Sequence, residues 1–215
     1  MSTRLTISIT LVLLAAFVIA GFTVWDLMPE QMASHWNTSD QVDGTMSRFW
    51  GVFLMPVIAA VIFVLFLVIP AIDPLKANIA QFREAFNLFI LLIMLFLGYI
   101  WALTLAWNLG FTNFRMSSAM LPALGLLFIY IGYMLRKAKR NFFIGIRTPW
   151  TLSSDTVWTR THRLGSVLFI VSGALALMGS LFGSHAIWFA MVPLLGSTLF
   201  LVVYSYWLYR EETRL

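Results

Sequence analysis

Charge is what this chain of 215 residues has least of. Only 11% of it is Asp, Glu, Lys or Arg, while 60% is hydrophobic and the mean hydropathy is +0.88. Soluble domains carry roughly 25% charged residues. A single small core has no means of hiding that much apolar surface from water, so a lipid bilayer is the implied solvent. Cysteine is absent altogether, which excludes disulfides, thiolate catalysis and cysteine metal sites. Histidine occurs three times, as His35, His162 and His185. A zinc site usually takes three or four protein ligands. His35, Asp40, Asp43 and His185 make a donor set on paper, but no metal and no cofactor is assigned. Missing too are the phosphate loop G-x-x-x-x-G-K-[ST], the zinc helix H-E-x-x-H and the nucleophile elbow G-x-S-x-G. The chain therefore reads as non-enzymatic. Its net charge of +5 comes with no nucleic-acid recognition motif, so direct binding of DNA or RNA is not expected.

What is present is a series of long apolar runs. They cover about Leu5–Leu27, Trp50–Ile72, Ala85–Leu109, Ser117–Leu135, Leu164–Phe182 and Ala186–Tyr209. At 1.5 Å per residue, about 20 residues of helix span the roughly 30 Å of bilayer hydrocarbon. The first run is longer than the apolar region of a signal peptide and ends in Trp25-Asp26-Leu27-Met28-Pro29, so an uncleaved helix is preferred. The expected fold class is all-α: a polytopic membrane protein with six transmembrane helices. Six spans put both termini on one side. If that side is the cytosol, the inner segments hold twelve of the fourteen basic residues and the outer segments hold only Arg48 and Arg115. Lys and Arg accumulate in cytoplasmic loops, so both termini are expected to be cytosolic. Localisation to the plasma membrane follows.

The spans themselves carry no ionisable residue near mid-depth. Such a residue usually marks a proton relay or an ion path, and its absence argues against a proton-coupled carrier, a pump or a charged-ring channel. Asn87, Tyr99, Thr104 and Asn108 are the main polar groups of the third span and are expected to hydrogen-bond between helices. Trp25, Trp50, Trp101, Trp107, Trp188, Tyr206, Trp207 and Tyr209 flank the runs and read as an interfacial aromatic belt. Gly179 and Gly183 form a GxxxG pair that permits close helix approach.

Two polar segments are left to carry function. The outer one is a polar loop, Pro29 to Arg48, containing His35. The inner one, Asn141 to Gly165, reads NFFIGIRTPWTLSSDTVWTRTHRLG and packs Arg, Trp and His around a turn. Gly145 and Pro149 disfavour continuous helix there, and Thr148, preceding proline, is pushed toward an extended shape. Ser153 or Ser154 is placed to cap a new helix, with Asp155 in its first turn. On that helix Trp158, His162 and Gly165 share one face, while Arg160 and Arg163 lie on another. The plain reading is an interfacial helix that runs into the fifth span, its arginines reaching lipid phosphates. The functional reading is a docking surface, since Trp and Arg are enriched at binding hot spots.

This inner stretch resembles the signature of the SdpI family, bacterial membrane immunity proteins against a secreted peptide toxin. The resemblance rests on Asn141, Gly145, Arg147, Thr148, Pro149, Trp150, Trp158, Thr161, His162 and Arg163, and extends over about Leu121 to Tyr204. The outer loop resembles the amino-terminal domain often fused to that family, through Met28-Pro29, Ser34-His35-Trp36-Asn37 and Asp43-Gly44, although no glycine stands near position 39 or 40. The organisation implied is 1–75, an amino-terminal two-helix unit with the outer His35 loop; 76–116, a linker and the third transmembrane helix; and 117–215, an SdpI-like three-helix unit with the cytosolic loop 136–164. The resemblance implies immunity by binding or excluding toxin, and retention of a small DNA-binding repressor at the inner face. The partner-binding residues it implies are Asn141, Gly145, Arg147, Thr148, Pro149, Trp150, Trp158, His162 and Arg163. The toxin-facing loop would present Pro29, His35, Asn37, Asp43 and Gly44. Two alternatives stand beside it: a membrane sensor or scaffold without an immunity role, and a carrier of small neutral solutes.

Overall fold

In lipid a backbone finds no water to bond to, so long apolar runs fold as helices that satisfy their own N–H and C=O groups. The computed structural model, which describes residues 1–214, shows six such helices long and apolar enough to cross a membrane. They are α1 (Thr3–Val24), α2 (Arg48–Ile72), α4 (Arg83–Asn108), α5 (Met116–Lys137), α7 (Asp155–Gly179) and α8 (Trp188–Glu212). Two short helices, α3 (Lys76–Ala80) and α6 (Pro149–Ser153), lie in the connections. Ser2 caps α1 by accepting from the Leu5 N–H. The fifth span begins earlier than its apolar run suggested. Arg160, His162 and Arg163 belong to α7 itself, so the helix expected to start near Ser154 runs on into the fifth span as one element.

Two hub helices organise the bundle. α4 packs against α1 and α2, while α7 packs against α5 and α8, and α4 meets α5 between the two groups. Around α4, Ala59, Phe63, Phe86, Ile90 and Met94 are buried together. Nearer the far end, Met28, Met32, Val52, Trp101 and Leu105 form a second cluster. Trp101 therefore belongs to the core rather than to an aromatic belt, and its indole N–H donates to the Val52 carbonyl at 2.8 Å. Outward faces stay apolar, as at Val12, Leu199 and Val203, which fits a surface solvated by acyl chains.

The closest helix pair, α5 and α7, meets through glycines. A Cβ on Gly173 would lie 2.5 Å from the Gly125 carbonyl oxygen, and one on Gly125 would lie 2.7 Å from the Gly173 oxygen. Gly179, singled out in the GxxxG pair, faces Phe189 and the Ala186 carbonyl in the tight turn to α8 instead.

The polar loop between α1 and α2 is not irregular. It forms an antiparallel hairpin of β1 (Gln31–Trp36) and β2 (Val42–Ser47), the one non-helical regular element among the described residues. Met32 pairs with Met46 and Ala33 with Thr45, then the register slips so that His35 faces Gly44 and Trp36 faces Val42. Met32 is fully buried under Gly51 of α2, which plugs the hairpin into the bundle.

Gly173→Ala should lower stability by about 1–3 kcal/mol through overpacking. Gly196→Ala in α8, where nothing lies within 4 Å, should be neutral or add roughly 0.5–1 kcal/mol from helix propensity. Unfolding of both variants in mixed micelles checks the contrast.

Candidate functional site

The chain between α5 and α6, residues 138–148, forms no helix or strand, yet Ala138, Asn141, Ile144 and Thr148 are buried. Buried backbone must find partners, and here side chains supply them. Asn141 is fully enclosed and uses both ends of its amide. Its Oδ1 accepts from the N–H groups of Phe143 (2.9 Å) and Ile144 (2.6 Å), and its Nδ2 donates to the carbonyls of Lys139 (2.8 Å) and Ile144 (2.9 Å). Gly145 follows at φ +115°, a conformation other residues rarely adopt, and a Cβ there would strike His162 Nε2.

His162 closes the turn from α7. Its Nε2 accepts from the Ile146 N–H at 3.0 Å, so the ring proton sits on Nδ1 and donates to the Trp158 carbonyl at 2.9 Å. The ring stacks on Trp158 with centroids 3.9 Å apart. Trp158 in turn donates its indole N–H to the Ala138 carbonyl at 3.0 Å. The shared face of Trp158, His162 and Gly165 is thus buried, and Arg160 and Arg163 are exposed.

Thr148 is extended and caps α6, with Pro149 at its first turn. The Thr148 and Thr151 side chains bond reciprocally to each other's backbone. Thr148 Oγ1 also meets Ser205 Oγ of α8 at 3.1 Å. Trp150 packs on Tyr206 of α8 with ring centroids 5.0 Å apart. Ser154, rather than Ser153, caps α7 by accepting from the Val157 N–H. Asp155 lies 2.8 Å from Arg140, whose Nη1 donates to the Leu152 carbonyl. Arg147 remains exposed while donating to the Phe142 carbonyl at 2.8 Å.

Sequence reasoning missed the groups that clamp this cap from the first half of the chain. Asp73, at the end of α2, is buried and accepts from Leu75 N (2.6 Å) and Phe142 N (2.9 Å). Asn78 donates to the Arg140 carbonyl at 2.8 Å. Asp73 stands beside Pro74 where α2 stops, and nothing local to it points to its distant partner.

The expected partner-binding residues therefore divide. Asn141, Thr148, Trp158 and His162 are inside and hold the cap together. Gly145, Arg147, Pro149 and Arg163 are exposed, with Trp150 half-buried. Phe142, Phe143 and Lys139 are exposed beside them. The surface this leaves is cationic and aromatic, suited to acidic groups of a partner or of lipid.

At the opposite end the hairpin is tied down by side chains. Asn108 of α4 accepts from the Ala33 N–H at 2.7 Å and donates to the Ala33 carbonyl at 3.0 Å, bonding to β1 as a neighbouring strand would. It therefore bonds to the hairpin rather than between helices. Asn87 instead binds the Met1 carbonyl and Thr3, and Tyr99 reaches the Ala119 carbonyl of α5. Asn37 builds the hairpin turn by accepting from the Ser39 and Gln41 N–H groups. That turn carries Asp40 at φ +60°, and its carboxylate accepts from Ser117 N (2.8 Å) and Ser117 Oγ (2.7 Å) at the start of α5. His35 Nδ1 pairs with the Asp43 carboxylate on the exposed side. Pro29 is exposed before β1, and Gly44 sits opposite His35. With Asp40 engaged on Ser117, the donor set of His35, Asp40, Asp43 and His185 does not form a cluster able to hold a metal among the described residues.

Comparison with known proteins bears on both ends. Residues 137–205 match the SdpI/YfhL protein family, and residues 11–60 match a domain of unknown function, DUF1648. The chain is 25% identical over 205 residues to "Immunity protein SdpI" of Bacillus subtilis (strain 168), covering 94% of this chain and 95% of that relative. No solved structure matches. The segment matched to that family contains Asn141–Gly165, where the resemblance was drawn, and the six long apolar helices make the chain a multi-pass membrane protein.

Asn141→Ala leaves the buried Ile144 N–H without its acceptor and should cost about 1–3 kcal/mol. Arg163→Ala, on the exposed face, should stay within about 0.5 kcal/mol. Limited proteolysis between residues 139 and 147 should quicken only in the first variant.

Proposed function

We propose, on the strength of the SdpI/YfhL match, that this chain is a plasma-membrane immunity and signalling protein that protects its host against a secreted peptide toxin. The observation that carries the reading is a coincidence of place. The matched segment contains the folded polar cap, with its exposed Arg147, Pro149, Trp150 and Arg163, together with α7 and most of α8. A relative over nearly the whole chain is by name an immunity protein. Twelve basic residues at the terminal end support a cytosolic cap and an external hairpin.

On this reading the two ends do different work. The hairpin, with Pro29, His35, Asn37, Asp43 and Gly44, faces the toxin. The cap faces a small DNA-binding repressor and holds it at the membrane. Arg147, Pro149, Trp150 and Arg163 make the contact, while Asn141, Gly145, Thr148, Trp158 and His162 give the contact surface its shape. Protection comes from binding or excluding toxin, without covalent chemistry.

The absence of cysteine makes orientation directly measurable. In intact cells, a Gln41→Cys variant should react with a membrane-impermeant maleimide, and Phe142→Cys should react only after permeabilisation. Reaction of Phe142→Cys from outside would reverse the assignment of the two ends. Expression in a sensitive bacterium should raise survival against at least one secreted membrane-active peptide, and unchanged survival across a panel of such peptides counts against immunity. Arg147→Ala and Trp150→Ala should each release a cytosolic partner that the unaltered chain captures.

A further inference from the structure

Beneath the hairpin lies a cavity of about 320 Å³, at the end of the bundle away from the termini. Trp36 of β1 forms one wall, Met55 of α2 another, Ile100 and Thr104 of α4 a third, and Met116 and Met120 of α5 a fourth. We propose that this cavity seats apolar side chains of a cationic amphipathic peptide. The inference rests on the immunity reading only for where such a peptide comes from.

Three observations support it. The volume is at the small end of ligand pockets, roughly 300–1,000 Å³, enough for a few side chains but not for a whole helix. Three of the lining residues are methionines from two helices, and Met is unbranched, polarizable and able to repack around varied apolar groups. The roof is held by discrete polar ties, Asn108 to Ala33 and Asp40 to Ser117, so the space beneath it is walled but not filled.

Charge decides the kind of peptide. The segments at this end carry Asp26, Glu30, Asp40 and Asp43 against Arg48 and Arg115. Arg48 lies over the Trp25 ring, 5.6 Å from its centroid. The opposite end is strongly basic. A cationic ligand is therefore drawn to the cavity's end and repelled from the other. The groove between Leu92 and Leu127 has no such combination, being almost wholly apolar and placed along the lipid-facing flank.

The test uses the full chain in lipid nanodiscs and a synthetic amphipathic Leu/Lys helix carrying benzoylphenylalanine at one apolar position. Photo-crosslinks should map to Met55, Met116 or Met120. Met120→Trp, which fills the cavity, should weaken binding at least roughly tenfold, or about 1.4 kcal/mol, while Gly196→Ala in α8, outside the cavity lining, should bind as the unaltered chain does. Replacing the peptide's Lys with Glu should weaken binding as well. Should Met120→Trp fail to fold, Thr104→Phe serves in its place. Crosslinks spread along α8, or binding unchanged in a folded cavity-filling variant, would overturn the proposal. The growth assay separates the two readings. Crosslinks at these methionines without any protection would sink immunity and leave the cavity site standing. Protection retained by a folded Met120→Trp would sink the cavity site and leave immunity standing.

Discussion

A stretch of chain with neither helix nor strand is partly buried at one end of a membrane bundle, and the polar groups on its buried part need partners. That requirement governs the segment 138–148. Asn141 spends its whole amide on the backbone around it, His162 accepts the Ile146 N–H, Trp158 donates to Ala138, and Thr148 and Thr151 cap each other. The chain must turn within a short distance because α5, which it leaves, and α7, which it reaches through α6, are in glycine-mediated contact. Helix packing sets the span of the turn, and the side chains make that span chemically tolerable.

The rest of the molecule is joined by similar means. α1, α2 and α4 pack as one group and α5, α7 and α8 as another, with α4 against α5 between them. Side chain-to-backbone bonds tie the groups at both ends. Asp40 holds Ser117 beside the hairpin, while Asp73 holds Phe142 and Asn78 holds Arg140 beside the cap. In a bilayer, apolar surface gives helices little reason to prefer one another over lipid. Close glycine contacts and polar ties at the aqueous edges therefore carry much of the specificity. α5 is held by the hairpin at its first turn and by the cap at its last, so this helix connects the two polar ends.

Much of this was legible in the chain. Six apolar runs became six helices, Ser154 became the cap of α7, and Thr148 became extended before Pro149. The common face of Trp158, His162 and Gly165 followed from helical periodicity. The hairpin was not legible. Its register slips between Ala33 and Trp36, which breaks the two-residue alternation that marks a strand. Trp101 was read into a belt because tryptophan favours interfaces, but the partner that places it in the core, the Val52 carbonyl, lies 49 residues away. The Asn141–Gly165 motif reads as a recognition surface, yet half of its residues face inward.

Composition and periodicity are local quantities, and they were enough to establish a multi-pass membrane protein, its spans and the two polar segments on which function must rest. Which polar side chains remain free to meet another molecule is not local. Asn141, His162, Asp40 and Asn108 look available along the chain, but each is engaged by backbone that only folding brings within hydrogen-bonding distance. The tertiary structure decided that division because a buried N–H or carbonyl claims the nearest suitable side chain, and nearness in the fold is not written in the order of the residues.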